Sequence, residues 1–176
     1  MLIESMVRVE ATCQALVHLP RYVREWGMNK AAREVARSLC GYFDGALDLH
    51  RNAQEESLFP AVLDSSEHVD GLSALVKRFV AEHRWLERAW QTLRPNLTAV
   101  SLCRPAKLSI DETARFAAAY REHADAEVRF LLPLVATTSR IPGLLSTAML
   151  HRGSGANRRP LADTAEQPTR RGQSDI

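Results

Sequence analysis

The chain has 176 residues, 45% of them hydrophobic, 25% charged and 6% aromatic, an ordinary globular composition long enough to build a core without disulfide or metal staples. Its 23 basic and 21 acidic side chains are well mixed and leave a net charge of +2, which gives no footprint for nucleic-acid binding and no acidic tail. Eight Gly and eight Pro, with no recurring blocks of alternating strand residues, argue against an all-β sandwich or barrel.

In chain order, apolar residues recur at three- and four-residue spacing in four stretches, which predicts helices over 4–26, 30–63, 67–94 and 107–138 and an all-α, up-down four-helix bundle. Met1 to Glu10 carries Glu4, Arg8 and Glu10 where a signal peptide places its apolar stretch, and no apolar run approaches the roughly 20 residues that span a bilayer. A cytoplasmic protein without membrane contact is expected. Gly27 should close the first helix. Asp64-Ser65-Ser66 should cap the third, and Arg94-Pro95-Asn96 should end it. Ser109-Ile110-Asp111-Glu112 brings acidic residues to the first turn of the fourth. Pro60 and Pro133 fall near the ends of long helices, where they should kink or stop them.

Pro142-Gly143 marks the end of the bundle, and Leu144 to His151 can form one short amphipathic helix, giving a domain over 1–150. Residues 151–176 are rich in Gly, Ser, Arg and Pro and poor in large apolar side chains, so a disordered, solvated tail is expected there. Cys13, Cys40 and Cys103 are odd in number and widely separated, which reads as buried thiols rather than a disulfide framework or zinc ribbon. Trp26, Trp85 and Trp90 read as packing residues, and His68 and His151 as solvent-facing.

The inner faces of three helices carry polar residues. Val69, Leu72, Val76, Phe79, His83, Leu86, Trp90 and Leu93 form a bundle seam with one polar member, His83. Phe116, Tyr120, His123, Glu127, Phe130 and Leu134 form a second seam, and Leu39, Phe43, Leu47, His50, Gln54 and Leu58 a third. Burying His50, His83, His123 and Glu127 without a shared partner leaves several polar groups unsatisfied, each costing about 1–3 kcal/mol. A divalent metal takes all four as ligands and keeps the carboxylate ionised. The chain also echoes itself: HRNAQEESLFP from His50 to Pro60 and HADAEVRFLLP from His123 to Pro133 share a His, an acidic segment and a closing Leu-Pro or Phe-Pro at the same offset.

On the motifs LHRNAQEESLFP, EHRWLE and REHADAEVRFLLP, the sequence resembles the hemerythrin-like, HHE cation-binding family over roughly residues 8 to 140. The resemblance implies a four-helix bundle holding a non-haem di-iron centre, with dioxygen or another diatomic as ligand; for this chain non-haem iron, one or two ions or none, is expected. It carries over the metal ligands His50, His83, His123 and Glu127, and no catalytic residue. Two positions depart from the family pattern: Cys13 is followed by Gln14 where a His is usual, and Gln54 stands where a carboxylate follows His50. A neutral amide is a weak iron ligand and does not bridge two cations.

Three arrangements follow from the ligand count: a mononuclear or asymmetric site, a bundle without metal, or a two-metal site completed by His18 or by Glu55 swinging inward. His18, Glu55 and Glu56 read more simply as solvent-facing, and Arg51 offers an ion pair to Glu127 in place of a cation. The leading expectation is oxygen, nitric oxide or iron handling or sensing by such a metal-binding bundle. The alternative is a regulatory or protein-interaction module that has lost its metal. A zinc hydrolase also suits three His and one carboxylate, but no nucleophile motif accompanies them.

Overall fold

Helix starts and stops follow local chemistry in the computed structural model, which describes residues 2–65 and 70–137. Gly27, at φ 72°, lets the chain leave α1 (Leu2–Trp26), its N–H reaching back to the Val23 carbonyl at 2.9 Å. Asn29 then caps α2 (Lys30–Ala53) by accepting the Ala32 N–H at 3.0 Å. A π turn over Gln54–Leu58 joins α2 without a break to α3 (Phe59–Ser65). Gly71, at φ 80°, precedes α4 (Leu72–Ser101). Ser109 caps α5 (Ile110–Ala126), which a second π turn over Glu127–Leu131 joins to α6 (Leu132–Thr137). Four antiparallel arms result: α1, α2 with α3, α4, and α5 with α6. Each packs on its neighbours in chain order, and the first closes against the last.

The predicted boundaries change in three places. The seam of α4 continues past Pro95 through Leu97 and Val100, both fully buried, so the break expected at Arg94-Pro95-Asn96 does not occur. Burying those two side chains offsets the roughly 3 kcal/mol cost of an interior proline. Asn96 instead accepts the backbone N–H of Lys107 at 3.0 Å and ties down the loop before α5, which starts at Ile110 rather than at 107. The described part of the third arm starts at Leu72 behind Gly71, not behind Asp64-Ser65-Ser66: Asp64 and Ser65 belong to α3, and residues 66–69, with His68 and Val69, lie outside the described residues. So do Leu144 to His151 and the tail 151–176.

Pro60 and Pro133 neither stop nor sharply break their arms. Each lies two residues after a π turn. There Phe59 N–H bonds to the Gln54 carbonyl and Leu132 N–H to the Glu127 carbonyl, five residues back in both cases. The widened turn accommodates the carbonyls that a proline cannot serve. It also moves the seam: less rotation per residue carries Phe130 outward to 43% exposure and brings Leu131 into the core in its place, correcting the inner-face assignment of Phe130.

Two apolar clusters fill the bundle. The larger takes Cys13 and Leu16 from α1, Phe43 from α2, Trp90 and Leu97 from α4 and Phe116 and Tyr120 from α5. The smaller takes Leu58, Phe59, Val62, Phe79 and Leu131 from the other end of three arms. Asp44 clamps α2 to α4, accepting Trp90 Nε1–H at 2.9 Å and Arg94 Nε–H at 2.7 Å. Trp26 and Trp85 are exposed, so of the three tryptophans Trp90 alone is a core residue. No helix among the described residues is long and apolar enough to cross a membrane.

The cysteines also divide. Cys13 is buried, Cys40 half-buried and Cys103 exposed at φ 55° just after α4, so the reading of all three as buried fails for Cys103, which lies beyond the last apolar turn. Burial pushes the Cys13 thiol up to about 11, leaving little thiolate at pH 8. Alkylation of the native protein at pH 8 should therefore label Cys103 and leave Cys13 unmodified until denaturant is added. Peptide mass spectrometry reads this directly, and early labelling at Cys13 contradicts the packing of α1.

Candidate metal centre

Between the two apolar clusters the seams turn polar. His50 from α2, His83 from α4, and His123 and Glu127 from α5 and its π turn are all buried, and one ligand atom from each lies within 4.8 Å of the others. Helical spacing explains the convergence: His50 lies seven residues after Phe43, His83 four after Phe79, and His123 three after Tyr120, each continuing an apolar stripe. The rings nest at centroid separations of 5.7 Å (His50 to His83), 5.9 Å (His50 to His123) and 4.8 Å (His83 to His123). Phe59 stacks on His83 at 6.0 Å and Phe79 meets His123 edge-on at 5.6 Å, so phenyl rings cover the group from the second cluster.

Glu127 is the hub. Its Oε1 accepts from His50 Nε2 at 2.5 Å and from Gln54 Nε2 at 2.6 Å, and lies 3.0 Å from His123 Nε2. The internal echo places Gln54 and Glu127 alike, each four residues after a His and each opening a π turn, and the amide meets the carboxylate face to face. Gln54 thus does what a carboxylate at the same place does not: it donates to Glu127 rather than repelling it.

Two further carboxylates act from outside. Glu55 Oε1 lies 2.8 Å from His83 Nδ1, and Glu82 Oε2 lies 2.8 Å from His123 Nδ1. Glu55 therefore does not face solvent freely; here it grips the far side of an imidazole on the next arm. Glu82, which the sequence pattern did not single out, also takes Arg78 Nε–H at 2.6 Å. The N–H of His123 holds the Glu82 carboxyl below the usual carboxylate range, with burial opposing and Arg78 assisting. Burial, helped by His123 and His50 and opposed by Glu127 and Glu82, pushes His83 from 6.5 down to about 3. His83 is therefore neutral at pH 7, the form that binds a metal.

Arg51 does not reach Glu127. Its Nη1 pairs with Glu87 Oε2 at 2.9 Å, bridging α2 to α4 at the surface, because the residue after His50 is turned about 100° off the seam. The expected guanidinium substitute for a cation is thus corrected. His18 and Gln14 are exposed on α1, where Gln14 Nε2 donates to Glu10 at 2.8 Å. Among the described residues the first arm brings only apolar side chains and Cys13 to the core.

The donor set fits a divalent cation. His83 Nε2 is buried and has no partner within the protein, and so is Gln54 Oε1; orphaned buried acceptors of this kind call for a ligand or ion. Three imidazole nitrogens and one carboxylate suit iron, zinc or cobalt, not calcium or magnesium. Metal bonds of about 2.0–2.2 Å place two ligand atoms no more than about 4.4 Å apart, so the spread of up to 4.8 Å closes with shifts of a few tenths of an ångström. A wider groove of about 280 Å³, lined by Trp85, Arg88, Arg115 and Phe116 among others, touches none of these groups.

The family model described as the Hemerythrin HHE cation binding domain matches residues 4–135. No curated protein and no solved structure matches the chain.

Proposed function

The chain belongs to the hemerythrin HHE cation-binding domain family, and from that premise we propose that it binds one non-haem iron ion through His50, His83, His123 and Glu127 and uses it to bind or sense a diatomic such as dioxygen or nitric oxide. The convergence of one ligand atom from each of these residues within 4.8 Å carries the reading. A single ion follows from Gln54, whose amide donates to Glu127 and supplies no second bridging carboxylate, and from α1, whose Gln14 and His18 face outward.

The room beside the imidazoles sets the ligand size. A cavity of roughly 10 Å³, lined by Leu47, His50, His83, Tyr120, His123 and others, lies next to the group, space for about one water. A diatomic fits that scale and an organic ester or amide does not, which disfavours the zinc-hydrolase alternative. Iron supplies a coordination position for the diatomic when bound; the protein supplies the neutral imidazoles, the buried carboxylate and the phenyl cover.

Anaerobic loading with ferrous iron should give close to one ion per chain, and His83→Ala should bind less than a tenth of that at the same free iron. The loaded protein should change its visible absorption on exposure to dioxygen or nitric oxide. Wild-type protein that takes up no iron, and whose melting temperature is unmoved by it, removes the metal reading. The alternative then stands: a bundle without metal in which His50 and Gln54 satisfy Glu127 by hydrogen bonds alone, an arrangement the two short contacts favour.

A further inference from the structure

The carboxylates around the candidate site are distributed in a closed cycle over three arms. Glu55 follows α2 and grips His83 of α4 at 2.8 Å; Glu82 of α4 grips His123 of α5 at 2.8 Å; Glu127 follows α5 and meets His50 of α2 at 2.5 Å. Glu127 is buried and meets the inner ring nitrogen. Glu55 and Glu82 are about a quarter exposed and meet the outer one. No imidazole is held by a carboxylate of its own arm alone.

We infer that Glu55 and Glu82 are positioning residues: they fix His83 and His123 as the tautomers with the proton on Nδ1 and so present both Nε2 lone pairs to the bundle centre. An ionised carboxylate only accepts hydrogen bonds, so each Nδ1 must donate, which in a neutral ring leaves the lone pair on Nε2. The buried Nε2 of His83 has no partner within the protein, as a nitrogen reserved for a ligand requires. The same grip fixes ring orientation and raises the basicity of the nitrogen that coordinates. Each carboxylate sits on a different arm from the ring it holds, so the ligands are aimed only when all three arms are docked. The inference rests on the proposed metal reading for its purpose but not for its test.

Two measurements on Glu55→Ala, Glu82→Ala and the two Gln variants decide it. The first is the tautomer of each ring in chelator-treated protein, read at pH 7.5 by long-range 1H–15N NMR. The wild type should show His83 and His123 protonated on Nδ1. Glu82→Ala should shift His123 toward the Nε2 tautomer, Glu55→Ala should do the same to His83, and each should leave the other ring unchanged. The Gln variants keep a carbonyl acceptor and should retain the wild-type tautomers. The second is the dissociation constant for cobalt(II), which should rise about 10–100-fold in each Ala variant and much less in the Gln variants.

Tautomers unmoved by the Ala substitutions overturn the inference, as does an equal loss of affinity in Ala and Gln variants, which marks the contacts as surface ion pairs that merely hold the arms together. Wild-type protein that binds no cobalt removes the metal proposal, while the NMR result still decides the positioning role. Both glutamates lie at the rim of the site, so the variants should fold, and an unchanged far-ultraviolet circular dichroism spectrum checks this.

Discussion

Gln54→Glu should lower the stability of the chelator-treated protein by about 3–5 kcal/mol, the usual cost of an uncompensated buried charge, and a divalent cation should restore it. Gln54 is fully buried and its amide donates to Glu127 Oε1 at 2.6 Å. The substitution exchanges that donor for an acceptor of like charge, and two carboxylates at this range do not both ionise. One takes up a proton, so its pKa in the folded state lies above its unfolded value. The unfolded chain then binds fewer protons at neutral pH, and the variant loses stability as pH rises from about 4 to 7. Thermal melts should show a drop on the order of 10 °C at pH 7, smaller at pH 5. A cation accepts both carboxylates, so metal should raise the melting temperature of the variant more than that of the parent. A variant that melts like the parent without metal, or gains no more from metal, means that Gln54 does not hold Glu127 as described.

Much of this arrangement was legible in the sequence, because burial at three- and four-residue spacing is a local property. The apolar stripes placed His50, His83 and His123 on inner faces, and the structure brings them together with Glu127. Reading failed where a contact depends on the neighbouring arm. Glu55 and Glu82 sit off their own seams and gain meaning only from rings on the next helix; nothing in the spacing along one helix signals that. Arg51 went to Glu87 instead of Glu127 for the same reason. The exposure of Phe130 had a readable cause, since a proline at the same offset in both halves of the internal echo points to the same backbone device in both. That echo also aligned Gln54 with Glu127 and so carried the signal for their contact. Pro95 shows the limit of punctuation rules: the residues after it, Leu97 and Val100, continue the stripe and outweigh the break.

Phe43→Ala should cost about 3–5 kcal/mol, the range for removing a buried aromatic side chain, without impairing metal binding. Phe43 is fully buried and sits at the centre of the larger cluster, with ring centroids of Trp90 and Phe116 at 5.0 Å and Tyr120 at 5.2 Å. Truncation leaves a cavity walled by three aromatic rings from two other arms, which are too large to collapse into it. Yet Phe43 lies seven residues before His50, two helical turns or about 10 Å along the axis, far enough for the two effects to add. A ligand that binds only the folded state stabilises by RT ln(1 + [L]/Kd), about 2.7 kcal/mol at a hundredfold excess over Kd. Wild type and Phe43→Ala should therefore gain the same stability from a given free metal concentration, their denaturation curves moving in parallel. A smaller gain in the variant means that the aromatic layer supports the imidazoles through Tyr120, which lines the small cavity beside them. The double variant Phe43→Ala with His83→Ala separates the cases, because it should show the packing loss and no metal response at all.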